Sequence, residues 1–218
     1  METKSLPIPG QLSSAEPELL TNAILRAPKP PKVVLEVGTW LGGGSTVHIL
    51  RALQQLGEGH LWGIEADRSI FERMIANIRS AAPDALHRFT PIFGHSQRVI
   101  PPWLREQGEA FQIDLAFLDG GDNPLEQITE FKLIDPHIPT GGQLLAHDAR
   151  VRKGKWFVPY LASLDNWRSQ VYDLSEVGLV WANKIGTQPS PDSRRRAQAC
   201  LWKARMEPAA AAAACLPR

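Results

Sequence analysis

Five short apolar stretches, each followed by a segment of helical character or by a loop, constrain this chain more than any other feature. Residues 33–37, 60–65, 89–93, 113–118 and 143–147 read as strands. Between them, residues 45–56, 68–80, about 97–107 (broken by Pro101 and Pro102) and 124–134 read as helices. Strands this apolar are buried on both faces, and crossover helices are what cover them. The alternation therefore predicts an α/β fold with a doubly wound parallel sheet. The ending differs. Residues 169–174 and 178–184 are strand-like and separated by only Ser175, Glu176 and Val177. So short a link cannot supply the crossover a parallel pair needs, so the two must form an antiparallel hairpin.

The chain has 218 residues, which suits one α/β domain with short extensions. Residues 1–32 are expected to form a loose arm (1–12), an N-cap at Ser13-Ser14-Ala15-Glu16, a helix over 17–25 and a stiff linker carrying Pro28, Pro30 and Pro31. The catalytic-type domain is expected over 33–186. Residues 187–218 form an extension, helical over about 194–206 and ending in an alanine-rich tail. With 24 basic against 23 acidic residues, the net charge of +1 argues against nucleic acid or an anionic membrane as partner. Apolar runs fall far short of the roughly 20 residues of a membrane span, and residues 1–10 lack the apolar region of a signal peptide. Cys200 and Cys215 make no metal-type cluster and read as reduced thiols, so a cytoplasmic location is expected.

The motifs lie at strand ends, where ligands of open α/β sheets bind. After the first strand comes Glu36-Val-Gly38-Thr39-Trp40-Leu-Gly42-Gly43-Gly44-Ser45. Glycines there permit positive φ and close approach of a ligand, and the following helix offers free N–H groups. The spacing is E-x-G-x-x-x-G, not the GxGxxG of a dinucleotide site. An acid at the strand end suits a ligand that carries positive charge better than it suits a pyrophosphate. The second strand ends in Glu65-Ala66-Asp67, where a carboxylate can accept both ribose hydroxyls. Glu65 is assigned to the ribose and Asp67 to capping the next helix. Gly94-His95-Ser96-Gln97 closes the third strand, Asp119-Gly120-Gly121-Asp122 the fourth, and His147-Asp148-Ala149 the fifth.

Taken in order over residues 33–184, these motifs resemble the class I S-adenosylmethionine (SAM)-dependent methyltransferases, in particular the small O-methyltransferase branch. The resemblance implies a Rossmann-like seven-stranded sheet of order 3-2-1-4-5-7-6 with strand 7 antiparallel. It implies that Glu36, Gly38, Thr39, Trp40, Gly42, Ser45, Glu65, Ala66, Ser96, Gln97 and Asp119 bind SAM. It further implies that Asp119 and Asp148 hold a divalent cation such as Mg²⁺. The chain departs from the pattern at two points. Ala149 stands where metal-dependent members carry asparagine, and Asp122 stands where relatives place a lysine or histidine base.

The expected reaction is methyl transfer to a small-molecule acceptor, with a hydroxyl oxygen as the acceptor atom. Such a hydroxyl must lose its proton, either to a general base or by metal coordination. Asp122 and His147 are the catalytic candidates, His147 as the substitute base. Two alternatives stay open: a SAM-binding protein without catalysis, and an N-methyltransferase. Residues 150–160, with Arg150, Arg152, Lys153, Lys155, Trp156 and Tyr160, read as a solvated loop entering an amphipathic helix. The terminal segments are open to covering the site or to building a homodimer.

Overall fold

The structure, a computed structural model, describes residues 8–13, 15–121, 123 and 125–206. Seven strands form one sheet of order β3-β2-β1-β4-β5-β7-β6. They are β1 (Val33–Val37), β2 (His60–Glu65), β3 (Phe89–Phe93), β4 (Leu115–Leu118), β5 (Gln143–His147), β6 (Trp167–Tyr172) and β7 (Leu179–Lys184). The helices are α1 (Glu16–Leu25), α2 (Thr46–Leu56), α3 (Arg68–Ala81), α4 (Ser96–Gln107), α5 (Glu126–Ile134), α6 (Gly154–Ala162) and α7 (Pro191–Arg205). β1–β2, β2–β3 and β4–β5 pair in parallel, whereas β7 runs antiparallel to both β5 and β6. The chain divides into two compact units, residues 1–109 and 110–218.

In the first unit, β1 and β2 bury Val34, Leu35, Leu61 and Ile64, and α2 buries Ile49, Leu50 and Leu53. Each such fully buried side chain stabilises the fold by about 1.5–3 kcal/mol. Left-handed Gly57 ends α2, as a glycine after a helix should. Asp67 caps α3, its carboxylate accepting the N–H of Ile70 at 2.9 Å, so the capping role assigned to it is the one it fills. The N–H of Ser13 donates to the Glu16 carboxylate at 2.7 Å at the start of α1; Ser14 of the expected cap lies outside the described residues.

Residues 8–12 are not loose. They lie against the glycine turn after β1, where a Cβ on Gly43 would stand 2.3 Å from the carbonyl oxygen of Ile8 and 2.4 Å from that of Pro9. Gly10 makes the reciprocal approach, its virtual Cβ 2.7 Å from the nitrogen of Gly44. Gly43 and Gly10 are thus glycine because two stretches of backbone cross there.

The second unit packs α5 and α6 on β4 and β5 through Phe117, Phe131, Leu144, Leu145 and Phe157. Phe131 meets Phe157 and Trp167 edge-on, at 5.8 and 5.5 Å between centroids. Several boundaries depart from the sequence reading. β4 begins at Leu115, because the N–H of Ile113 is turned to the carbonyl of His137. β6 begins at Trp167, two residues early, because buried Trp167 pairs with Lys184 of β7. The hairpin link is accordingly residues 173–178, still too short for a crossover. Helix α7 starts at Pro191 behind Ser190, whose hydroxyl accepts the N–H of Ser193. No helix among the described residues is long and apolar enough to cross a membrane.

Candidate active site

In the first unit the chain leaves β1 through two glycines in the left-handed region, Gly38 (φ 88°) and Gly42 (φ 84°). Between them Trp40, a bulky residue, also has positive φ (45°), a strained conformation of the kind stored at ligand sites. What holds it is Glu65 at the end of β2. One carboxylate oxygen accepts the N–H of Trp40 at 2.9 Å, the other the N–H of Asp67 at 2.9 Å. A carboxylate offers about four acceptor positions, so Glu65 keeps one on each oxygen for a ligand. It is partly exposed, and Ala66 beside it is exposed.

Glu36 and Ser45 are engaged with one another. Glu36 is fully buried and accepts the hydroxyl of Ser45, itself buried, so the pair ties the end of β1 to the start of α2. Thr39 is 2% exposed, and its hydroxyl oxygen has no hydrogen-bond partner. An orphaned buried hydroxyl inside a glycine turn is what a missing polar ligand leaves behind. Ser96 and Gln97 open α4 behind left-handed Gly94 (φ 138°). Trp62 and Trp103 pack against each other at 5.9 Å between centroids.

In the second unit, Asp119 follows β4, and His147 and Asp148 end β5. His147 Nδ1 stands 3.2 Å from Asp119 Oδ1 and 3.3 Å from Asp148 Oδ1. Asp148 is a second residue with positive φ, 61°, and its carboxylate shares the Lys153 ammonium with that of Asp119. Ligand atoms of Asp119, His147 and Asp148 lie within 4.8 Å of one another, a spacing that suits a metal. Asp122 lies outside the described residues.

The sequence reading missed two members of this centre. Lys153, expected in a solvated loop, is 4% exposed. Its ammonium donates to Asp119 Oδ1 at 3.0 Å, Asp148 Oδ2 at 2.9 Å and the carbonyl oxygen of Gly120 at 3.3 Å. Burial pulls its pKa down, but Asp119 and then Asp148 raise it by more, so it stands above the ordinary lysine value. Its neighbours in the basic run go elsewhere: Arg150 pairs with Asp173 at the surface, and Lys155 lies over the ring of Trp156 at 5.2 Å. Tyr160 is buried against Phe131, and burial, Asp135 and Cys200 push its hydroxyl up to about 12.

The second missed residue is Gln127 of α5, fully buried. Its amide donates to the carbonyl of His147 at 2.9 Å and of Leu118 at 3.4 Å, joining the ends of β4 and β5 where the site residues emerge. Gln127→Leu should cost about 1–3 kcal/mol, the desolvation penalty of carbonyls left unpaired. A denaturant midpoint equal to that of the wild type would show that the tie carries no weight.

A profile of the methyltransferase domain family matches residues 35–149. No curated protein sequence matches the chain. Among solved structures, it is similar to the O-methyltransferase TomG from Streptomyces achromogenes, involved in tomaymycin synthesis and in complex with SAM. The two are 21% identical, with 81% of this chain and 82% of that one covered at a TM-score of 0.67. An O-methyltransferase from Bacillus cereus in complex with S-adenosylhomocysteine (SAH) is 18% identical, with 80% and 82% covered and a TM-score of 0.64. A methyltransferase from Geobacter sulfurreducens is 16% identical, with 83% of both chains covered and a TM-score of 0.63.

Proposed function

The chain belongs to the methyltransferase domain family, and on that premise we propose that it moves the methyl group of SAM to a hydroxyl oxygen of a small-molecule acceptor. The observation that carries the cofactor reading is Glu65, a carboxylate pinned by two backbone N–H groups at the end of β2 with an acceptor position left on each oxygen. The SAM and SAH bound in the structural relatives support the same reading.

In this reading Glu65 receives the ribose hydroxyls, and Thr39 completes its hydrogen bonding on the cofactor. Gly38, Trp40 and Gly42 shape the turn beneath it, with Ala66, Ser96 and Gln97 completing the cofactor residues of this unit. Glu36 and Ser45 act by fixing the turn. When bound, SAM would supply an activated methyl group on its sulfonium, which would pass to the acceptor oxygen with SAH as the other product. The protein's share is to hold the acceptor in line and to take its proton. His147 suits the second task. Its Nδ1 faces two carboxylates, which fix the orientation of the imidazole.

Calorimetric titration with SAH tests the cofactor assignment. The wild type should bind, and Glu65→Ala should bind roughly 10–100-fold more weakly, since a hydrogen bond to a charged group contributes about 1.5–3 kcal/mol. No SAH binding by the wild type would sink the proposal. Binding without turnover on any hydroxyl or amine acceptor would instead establish the non-catalytic alternative.

A further inference from the structure

The carboxylates of Asp119 and Asp148, with His147, have the composition and spacing of a divalent-cation site. Yet a cation from the chain already stands among them. The geometry assigns Lys153 the place of that metal: its ammonium is the resident counter-charge of Asp119 and Asp148, and the methyl transfer proceeds without a bound metal ion. This inference rests on the methyltransferase reading above.

Three observations carry it. First, the ammonium's three N–H donors are all taken, by Asp119, Asp148 and the carbonyl of Gly120. A Mg²⁺ ion bound to the same carboxylates would sit about 2.0–2.1 Å from their oxygens, against a buried like charge. Second, the loop is built to deliver the lysine. Gly154, the next residue, has no room for a side chain: a Cβ there would stand 2.2 Å from the carbonyl oxygen of Asp148 and 2.5 Å from Cα of Ala149. The N–H groups of Ala149 and Arg150 are held by the carbonyls of Gly178 and Val177. This tight return from left-handed Asp148 brings Lys153 back over the aspartates. Third, Ala149, buried next to Asp148, offers no side-chain ligand to complete a metal's coordination.

The substitution changes what the centre can do. A metal keeps an open coordination position for an acceptor oxygen; this ammonium has no donor to spare. Lys153 is therefore a positioning residue. It fixes the two carboxylates that orient His147 Nδ1.

The test is Mn²⁺ titration followed by electron paramagnetic resonance on the full chain. Wild type should bind no Mn²⁺ up to millimolar concentration. Lys153→Met should gain one Mn²⁺ per chain, lost again in Lys153→Met/Asp148→Ala. A merely structural lysine would not create a metal site on removal. One equivalent of Mn²⁺ on the wild type, displaced by Mg²⁺, would overturn the assignment, and so would a folded Lys153→Met protein that binds none. SAH binding measured on the same samples keeps the two readings apart: its failure rejects the methyltransferase reading, while the Mn²⁺ signal decides the place of Lys153.

Discussion

Asp119→Ala should lose methyl transfer by about 10²–10⁴-fold, the range of a positioned acid–base group, and should also destabilise the fold. One oxygen of Asp119 serves both His147 Nδ1 (3.2 Å) and Lys153 Nζ (3.0 Å). Removing it releases the imidazole from one of its two carboxylates and leaves a buried ammonium half-compensated. Breaking a buried pair from one side costs about 3–5 kcal/mol, and the low end applies because Asp148 remains. Chemical denaturation and single-turnover transfer would measure the two losses separately. The variant also moves the pH dependence. Lys153 has a folded pKa above its ordinary value. Its stabilisation is therefore complete below the ordinary lysine pKa and lost as pH rises through the higher folded one. Wild type should hold this contribution across neutral pH, and Asp119→Ala should begin to lose it at lower pH. A variant with wild-type midpoint and turnover would remove Asp119 from the centre.

Gly154→Ala should have the second-largest effect, although the residue has no side chain and touches no substrate. The added methyl would meet backbone atoms of Asp148 and Ala149 at 2.2 and 2.5 Å, and backbone cannot swing aside as a side chain does. Overpacking of this kind costs about 1–3 kcal/mol. The displaced loop would carry Lys153 and Asp148 with it, and a misplacement of about 1 Å can cost on the order of 10²-fold in rate. Activity should fall much further than SAH affinity, because Glu65 and its turn lie in the other unit. Equal losses of both would mean that the loop acts through general unfolding.

The sheet was legible because its signal is local. β1, β2, β3 and β5 occupy the stretches their apolar runs indicate, and the close hairpin correctly forces β6 and β7 antiparallel. The glycine turn after β1 was legible too, as glycines and an acid at fixed distances from a strand. Lys153 was not. In the sequence it is one cation in a run of four, and such a run ordinarily faces water. What turns it inward is tertiary: left-handed Asp148, the missing Cβ of Gly154, and two carboxylates arriving from different strands. Gln127 was hidden for the same reason, since a glutamine on a helix carries no mark of the two carbonyls it will meet. Gly43 and Gly44 show the converse. They read as part of a ligand-binding motif, yet residues 8–12 cross over them, and Gly43 has to be small for that reason.

That crossing matters for how variants would be interpreted. Gly10 lies outside every motif, and a mutational screen would expect it to tolerate any residue. Its virtual Cβ stands 2.7 Å from the backbone of Gly44, so a larger residue there would push on the turn that Glu65 holds in place. A damaging Gly10 allele would then register as loss of cofactor affinity. Without the contact in view, it would be misfiled as a defect of expression or of an unknown regulatory segment.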